Sequence, residues 1–255
     1  MASKQQKNQQ QRPRYDRRHP GHMPHAVPVK QPKPWGLIIT FSVVGVVALG
    51  LIGVTGYVVW DRSQPPSDIT NFYGPYESYQ EVQEAIAEGE ITEDDLDNPW
   101  VIQQGHVDAQ EDWDGTMPTY DLVPPAGGDH LTQWQNCTGV VYDAPVENGH
   151  AVHSLEHGAV WLTYDPDLVE QDDIDALADK IEGRDFSLMS PYPGQGAAVS
   201  LQAWGTQYQT DDPSDSKIDE FLNFAIQNSE NLAEMNATCS GGVSTTTAEP
   251  APVGG

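Results

Sequence analysis

A run of 26 residues without a single charge, Trp35 to Trp60 (WGLIITFSVVGVVALGLIGVTGYVVW), constrains this chain more than any other feature. As a helix it is about 39 Å long, more than the roughly 30 Å hydrocarbon core of a bilayer, so it can span with some tilt. Trp35 at one end, and Tyr57 with Trp60 at the other, suit the two membrane interfaces. The run is too long for a signal-peptide core of about 7–15 residues, and no A-x-A cleavage pattern follows it. The expectation is an uncleaved single-pass anchor.

Charge divides at this run. Residues 1–34 carry eight Lys/Arg against one acid, Asp16; the rest of the chain carries four basic residues against 37 acids, a net of −33. The positive-inside rule then places the N-terminus in the cytoplasm and residues 61–255 outside the cell membrane. An outer segment this acidic repels nucleic acid and anionic lipid, and it attracts a basic protein partner or metal cations. Neither a G-x-x-x-x-G-K-[ST] loop nor a G-x-G-x-x-G fingerprint occurs, so standard nucleotide binding has no support.

Five stretches follow from composition. Residues 1–34 read as a disordered basic tail in which His19, His22 and His25 recur every third position. Residues 35–60 are the transmembrane helix, 61–75 a linker, 76–240 a compact acidic extracytoplasmic domain and 241–255 a flexible tail. In the compact part, apolar Tyr79, Val82, Ala85 and Ile86 predict a helix over 77–88. Residues 98–150 are rich in Gly, Pro and Asp and read mostly as loop, with extended pieces at 101–107 and 139–146. GAVWLTY at 158–164 is the clearest strand. Asp167, with Glu170 three residues on, predicts the cap of a helix carried on Leu168, Ile174, Leu177, Ala178 and Ile181. Strands at 185–189 and 197–204, joined by SPYPGQG, and a helix over 215–228 complete the pattern. The expected fold class is α+β: a small, mostly antiparallel sheet with two to three helices behind a loop-rich first half, with half of a ferredoxin-like layout.

Both cysteines, Cys137 and Cys239, lie beyond the anchor. An oxidising compartment and an even count predict a disulfide between them. A competing role, Cys137 as a copper ligand beside a His and a Met, leaves Cys239 unexplained.

The five histidines beyond the anchor, His106, His130, His150, His153 and His157, all fall within residues 106–157, and the 98 residues after them hold none. Such clustering suits metal ligation, for which imidazole is the commonest side chain. His153-Ser154-Leu155-Glu156-His157 fits H-x-x-E-H, the inverted zinc-protease pattern. Gly149 and Gly158 bracket only eight residues, however, and a strand follows at once, which leaves room for a single helical turn.

Gly105-His106-Val107, Pro124-Pro125-Ala126-Gly127-Gly128-Asp129-His130, Val141-Tyr142-Asp143-Ala144-Pro145-Val146 and Val152-His153-Ser154-Leu155-Glu156-His157-Gly158-Ala159-Val160 occur in that order. Together they resemble the bacterial domain-of-unknown-function family 3105, commonly actinobacterial proteins with one N-terminal span. Ser190-Pro191-Tyr192-Pro193-Gly194 and Ala203-Trp204-Gly205 look like further signatures of it. The resemblance covers about residues 100–240 and implies no activity. It implies that His106, His130, His153 and His157 occupy family positions, and gives nothing for His150.

The leading expectation is a membrane-anchored extracytoplasmic protein that binds copper or zinc. Its ligands are His130, His153 and His157, with His106 or Met189 as a fourth and Glu156 behind them. The competing expectation is an accessory subunit docked on a larger membrane complex, a respiratory assembly for instance, with histidines that only brace loops. A hydrolase ranks last.

Overall fold

The computed structural model describes residues 33–62, 66–107 and 118–247. The basic tail with His19, His22 and His25, three residues of the expected linker and the last eight of the C-terminal tail lie outside the described residues. Helix α1 runs from Trp35 to Arg62. By length and composition it is the one helix among the described residues able to cross a membrane. Its apolar side chains stand exposed all round, with no polar stripe to seat it in a soluble core.

The compact domain is built on a six-stranded sheet. Strands β1 (Thr70–Asn71), β4 (Thr138–Val141), β5 (Val160–Tyr164), β6 (Ser187–Pro191), β7 (Val199–Ala203) and β8 (Thr206–Thr210) lie in the order β1-β8-β7-β5-β6-β4. A separate pair, β2 (His106–Val107) and β3 (His130–Leu131), runs parallel. The main sheet has three antiparallel neighbours (β1/β8, β7/β8, β5/β7) and two parallel ones (β5/β6, β4/β6). It is larger than the small sheet expected. Its extra strands are the two-residue β1 and the polar β8 (TQYQT), neither of which shows apolar alternation. Nor is it ferredoxin-like. β5 and β6 are immediate parallel neighbours joined by a helix, where a split βαβ unit places a strand between them.

Four helices join the sheet: α2 (Tyr79–Ala87), α3 (Asn148–Glu156), α4 (Gln171–Ile181) and α5 (Lys217–Ala225). Ser78 caps α2 by accepting the Glu81 amide at 3.2 Å, and Tyr79, Val82 and Ala85 face inward as their spacing requires. α4 starts later than the Asp167 cap predicts. Asp165 instead accepts the Asp167 amide and turns the chain, which leaves Leu168 57 % exposed on that turn. The carboxylate two residues earlier takes the turn that Asp167 was expected to cap.

Strand alternation sorts the core into two clusters. Val160, Leu162 and Tyr164 of β5 pack with Leu177 and Ile181 of α4 and with Ile218, Phe221 and Leu222 of α5. Trp161 points the other way, towards Ala151, Val152 and Leu155 of α3, Val82 of α2 and Trp204. With both faces covered, all five residues of β5 are buried, so the strand reads as a nearly continuous apolar run.

Candidate metal centre

The site is assembled from three short pieces. β2 pairs with β3 in the register His106↔His130, which sets those two side chains beside each other. α3 then lies against β3. The sequence brackets the H-x-x-E-H segment with glycines, yet Gly149 falls inside α3: a Cβ there would meet Leu131 Cγ at 2.7 Å. The missing side chain lets helix and strand approach, at a helix-propensity cost of about 1 kcal/mol. Nine helical residues therefore stand where a single turn was expected. His153, Glu156 and the C-cap residue His157 share one face of this helix, as i, i+3 and i+4 positions must.

Backbone carbonyls fix the rings. Nδ1 of His130 donates to the Gly128 carbonyl at 2.8 Å, Nδ1 of His153 to Leu131 at 2.6 Å and Nδ1 of His157 to Thr238 at 2.9 Å. Gly128 reaches its position with φ +105°, a conformation side-chain-bearing residues rarely adopt. A carbonyl can only accept, so each Nδ1 carries a proton and each neutral ring keeps its lone pair on Nε2.

The Nε2 atoms of His130 and His106 face a carboxylate. Nε2 of His130 is 3.0 Å from Glu156 Oε2, and Nε2 of His106 is 3.5 Å from the same oxygen. One ligand atom each from His106, His130, His153 and Glu156 lies within 4.8 Å of the others. The rings of His106, His130 and His153 are 4.7–4.9 Å apart by centroids. His130, His153 and Glu156 are buried; His106 keeps 43 % of its side chain in solvent. Burial lowers the pKa of His153 to about 4, helped by the neighbouring His130 and His157, against the opposing hydrogen bond to Leu131. Burial likewise lowers His157. Burial alone would raise Glu156, but the bond that a protonated His130 donates, and the positive charge that His130, His106 and His153 carry when protonated, outweigh it and leave the carboxyl below its ordinary value. Neutral His153 and ionised Glu156 are the protonation states a cation requires.

Residues 113–241 match a family described as protein of unknown function (DUF3105). The chain belongs to this family. The match takes in His130, His153, Glu156, His157 and both cysteines, while His106 precedes it. No curated protein and no solved structure matches the chain.

Within this DUF3105 domain the other residues singled out from sequence take different places. His157 faces Glu234 at 3.3 Å, and these two with His153 form a second group of possible ligands. Glu156, expected behind the ligands, presents its carboxylate among them. Met189 does not join: strand alternation on β6 sends it into the cluster under α4 and α5, while Leu188 takes the face towards α3. His150 donates to the Gln133 carbonyl at 2.5 Å and lies in neither group. Cys137 and Cys239 form a disulfide, which closes the alternative of Cys137 as a copper ligand. Of the H-x-x-E-H pattern, His153 and His157 stay within reach of each other and of Glu234, while Glu156 turns away to His130 and His106. Glu234 had no signal in the sequence. It is one of 38 acids, 77 positions beyond His157, and only folding identifies it.

Proposed function

We propose that this protein is a single-pass, membrane-anchored metal-binding protein whose extracytoplasmic domain holds one copper or zinc ion on His106, His130, His153 and Glu156. One observation carries the reading. His130 has its proton committed to Gly128 through Nδ1, yet its Nε2 sits 3.0 Å from a buried carboxylate oxygen. Two lone pairs at that distance repel unless a cation or an extra proton lies between them. Distances of 3.0 and 3.5 Å bracket the edge of about 3.3 Å expected for a tetrahedron with metal–ligand bonds of 2.0–2.2 Å. Three imidazoles and a carboxylate suit zinc or copper(II) better than copper(I), which prefers the sulfur that Met189 does not supply. The disulfide and the Lys/Arg asymmetry across α1 support an oxidising, extracytoplasmic location with the N-terminus inside.

The test is calorimetric titration of zinc and copper(II) into the full chain, purified in detergent without a His tag. The wild type binds one ion more tightly than about 10 μM. His130→Ala and Glu156→Gln each weaken binding by more than about 100-fold, beyond what losing a group behind a ligand costs. His150→Ala stays within a few-fold of wild type. Wild-type protein that binds neither metal overturns the reading.

A second reading rests on charge. Asp172, Asp175 and Asp179 stand exposed along α4, a surface suited to a basic protein or to a subunit of a larger membrane complex. Docking of this kind needs no metal, so absence of a bound ion would leave it as the surviving reading.

A further inference from the structure

His153 belongs to two ligand groups at once. With His106, His130 and Glu156 it closes an inner seat; with His157 and Glu234 it closes a second. The second group is built as firmly as the first. The ring of His157 is 4.6 Å from that of His153 by centroids, at 85°. Its Nδ1 is held by the Thr238 carbonyl, next to the bridged Cys239. Its Nε2 is 3.3 Å from Glu234 Oε2, again the edge of a tetrahedral site. The Glu234 amide donates to the Glu156 carbonyl at 3.0 Å, which ties the two acidic ligands to each other through the backbone. Trp134 walls this side, 5.0 Å from the His157 ring and 5.8 Å from that of His153. Glu234 keeps 50 % of its side chain in solvent.

His153 has one free lone pair, because its Nδ1 donates to Leu131. A single lone pair cannot ligate two ions. We infer that His153, His157 and Glu234 form an outer seat for the same divalent cation, mutually exclusive with the inner one. The ion then has two adjacent positions and passes between them without leaving His153. This inference rests on the metal-binding reading and adds a second position to it.

The probe is cobalt(II), titrated into the full chain in detergent and followed by its visible absorption, with zinc competition for affinity. Wild type saturates at one equivalent. His130→Ala disables the inner seat but keeps one weakened site, and adding Glu234→Gln to His130→Ala weakens that residual site at least about tenfold further. His153→Ala disables both seats and binds more weakly than His130→Ala. Circular dichroism and thermal melting confirm that each variant is folded, and the wild-type stoichiometry stands without any substitution. Two independent equivalents on wild type overturn the shared seat. So does a residual site in His130→Ala that is indifferent to Glu234→Gln. Those outcomes leave the inner site standing, whereas a wild type that binds no cobalt or zinc removes both.

Discussion

The two faces of the sheet are held by different physics. Under α4 and α5 the contacts are aliphatic and aromatic: Val160, Leu162, Met189, Leu201, Phe221 and Leu222 fill one another's gaps. On the other face, α3 and the Gly/Pro-rich segments add individual polar bonds to an apolar layer. Ser154 Oγ donates to the Gln135 carbonyl, Gln135 Nε2 to Thr245, and three imidazoles to three backbone carbonyls. The first face tolerates the loss of any one contact in proportion to its area. The second depends on particular atoms, because an unpaired buried polar group costs about 1–3 kcal/mol. The groups that could hold a cation lie on the second face, where polar atoms converge.

The largest break in this comparison comes from Phe221→Ala, which empties a fully buried site beneath the sheet. Denaturant unfolding of the outer domain should show a loss of about 3–5 kcal/mol, while folded molecules still bind one metal ion. Metal binding lost in proportion to stability would show that the two faces are not separable. Cys239→Ser comes next. The bridge spans 102 residues, and its removal costs about 2–5 kcal/mol. It also frees the backbone that presents the Thr238 carbonyl to His157, so binding at the outer position should weaken more than at the inner one. An equal effect on both would contradict the geometry.

The smallest effect is one of pH, on protein stripped of metal. His153 titrates near 4 when folded and near its ordinary 6.5 when unfolded. The unfolded chain therefore takes up the proton first. Stability from this residue is complete above about pH 6.5 and drains away as pH falls towards 4. Glu156 acts in the same sense at the lower end, since its carboxyl is held below its ordinary value. Melting curves between pH 7 and 4 should fall by the equivalent of about 1–2 kcal/mol, and His153→Gln should flatten that slope. An unchanged slope would place the pH dependence elsewhere in the acidic domain.

What could be read from sequence follows the same division. α2 and α5 were legible because their apolar residues repeat at the helical period, and β5 because a strand buried on both faces reads as a short apolar run. α4 was legible in its body but not at its start, because two aspartates two residues apart compete for one turn. α3 was not legible as a helix. Gly149 reads as a stop, and only the closeness of Leu131 explains it within the helix. β8 buries a glutamine, Gln207, whose Nε2 donates to the Pro124 carbonyl, so polarity hid a strand. Histidine clustering pointed to all five of His106, His130, His150, His153 and His157, since imidazoles so close in sequence are seldom scattered by chance, but it could not separate His150 from the rest or divide the others between two groups. Met189 misled because sequence says that strand neighbours alternate, not which face receives which residue. Glu234 arrives by long-range folding, which no local pattern encodes.

The disulfide also makes the domain a ring with an arm. Residues 137–239 form a closed covalent loop, within which lie His153, Glu156, His157 and Glu234. His106 and His130 lie on the arm that leads from the anchor to that loop. Tension applied between α1 and the C-terminal end runs along the arm and across the sulfurs, and bypasses everything from β4 to α5. An ion on His106, His130, His153 and Glu156 would act as a removable clasp between arm and ring. Under load the arm would peel first and take two ligands with it, while the ring kept its shape and the other four.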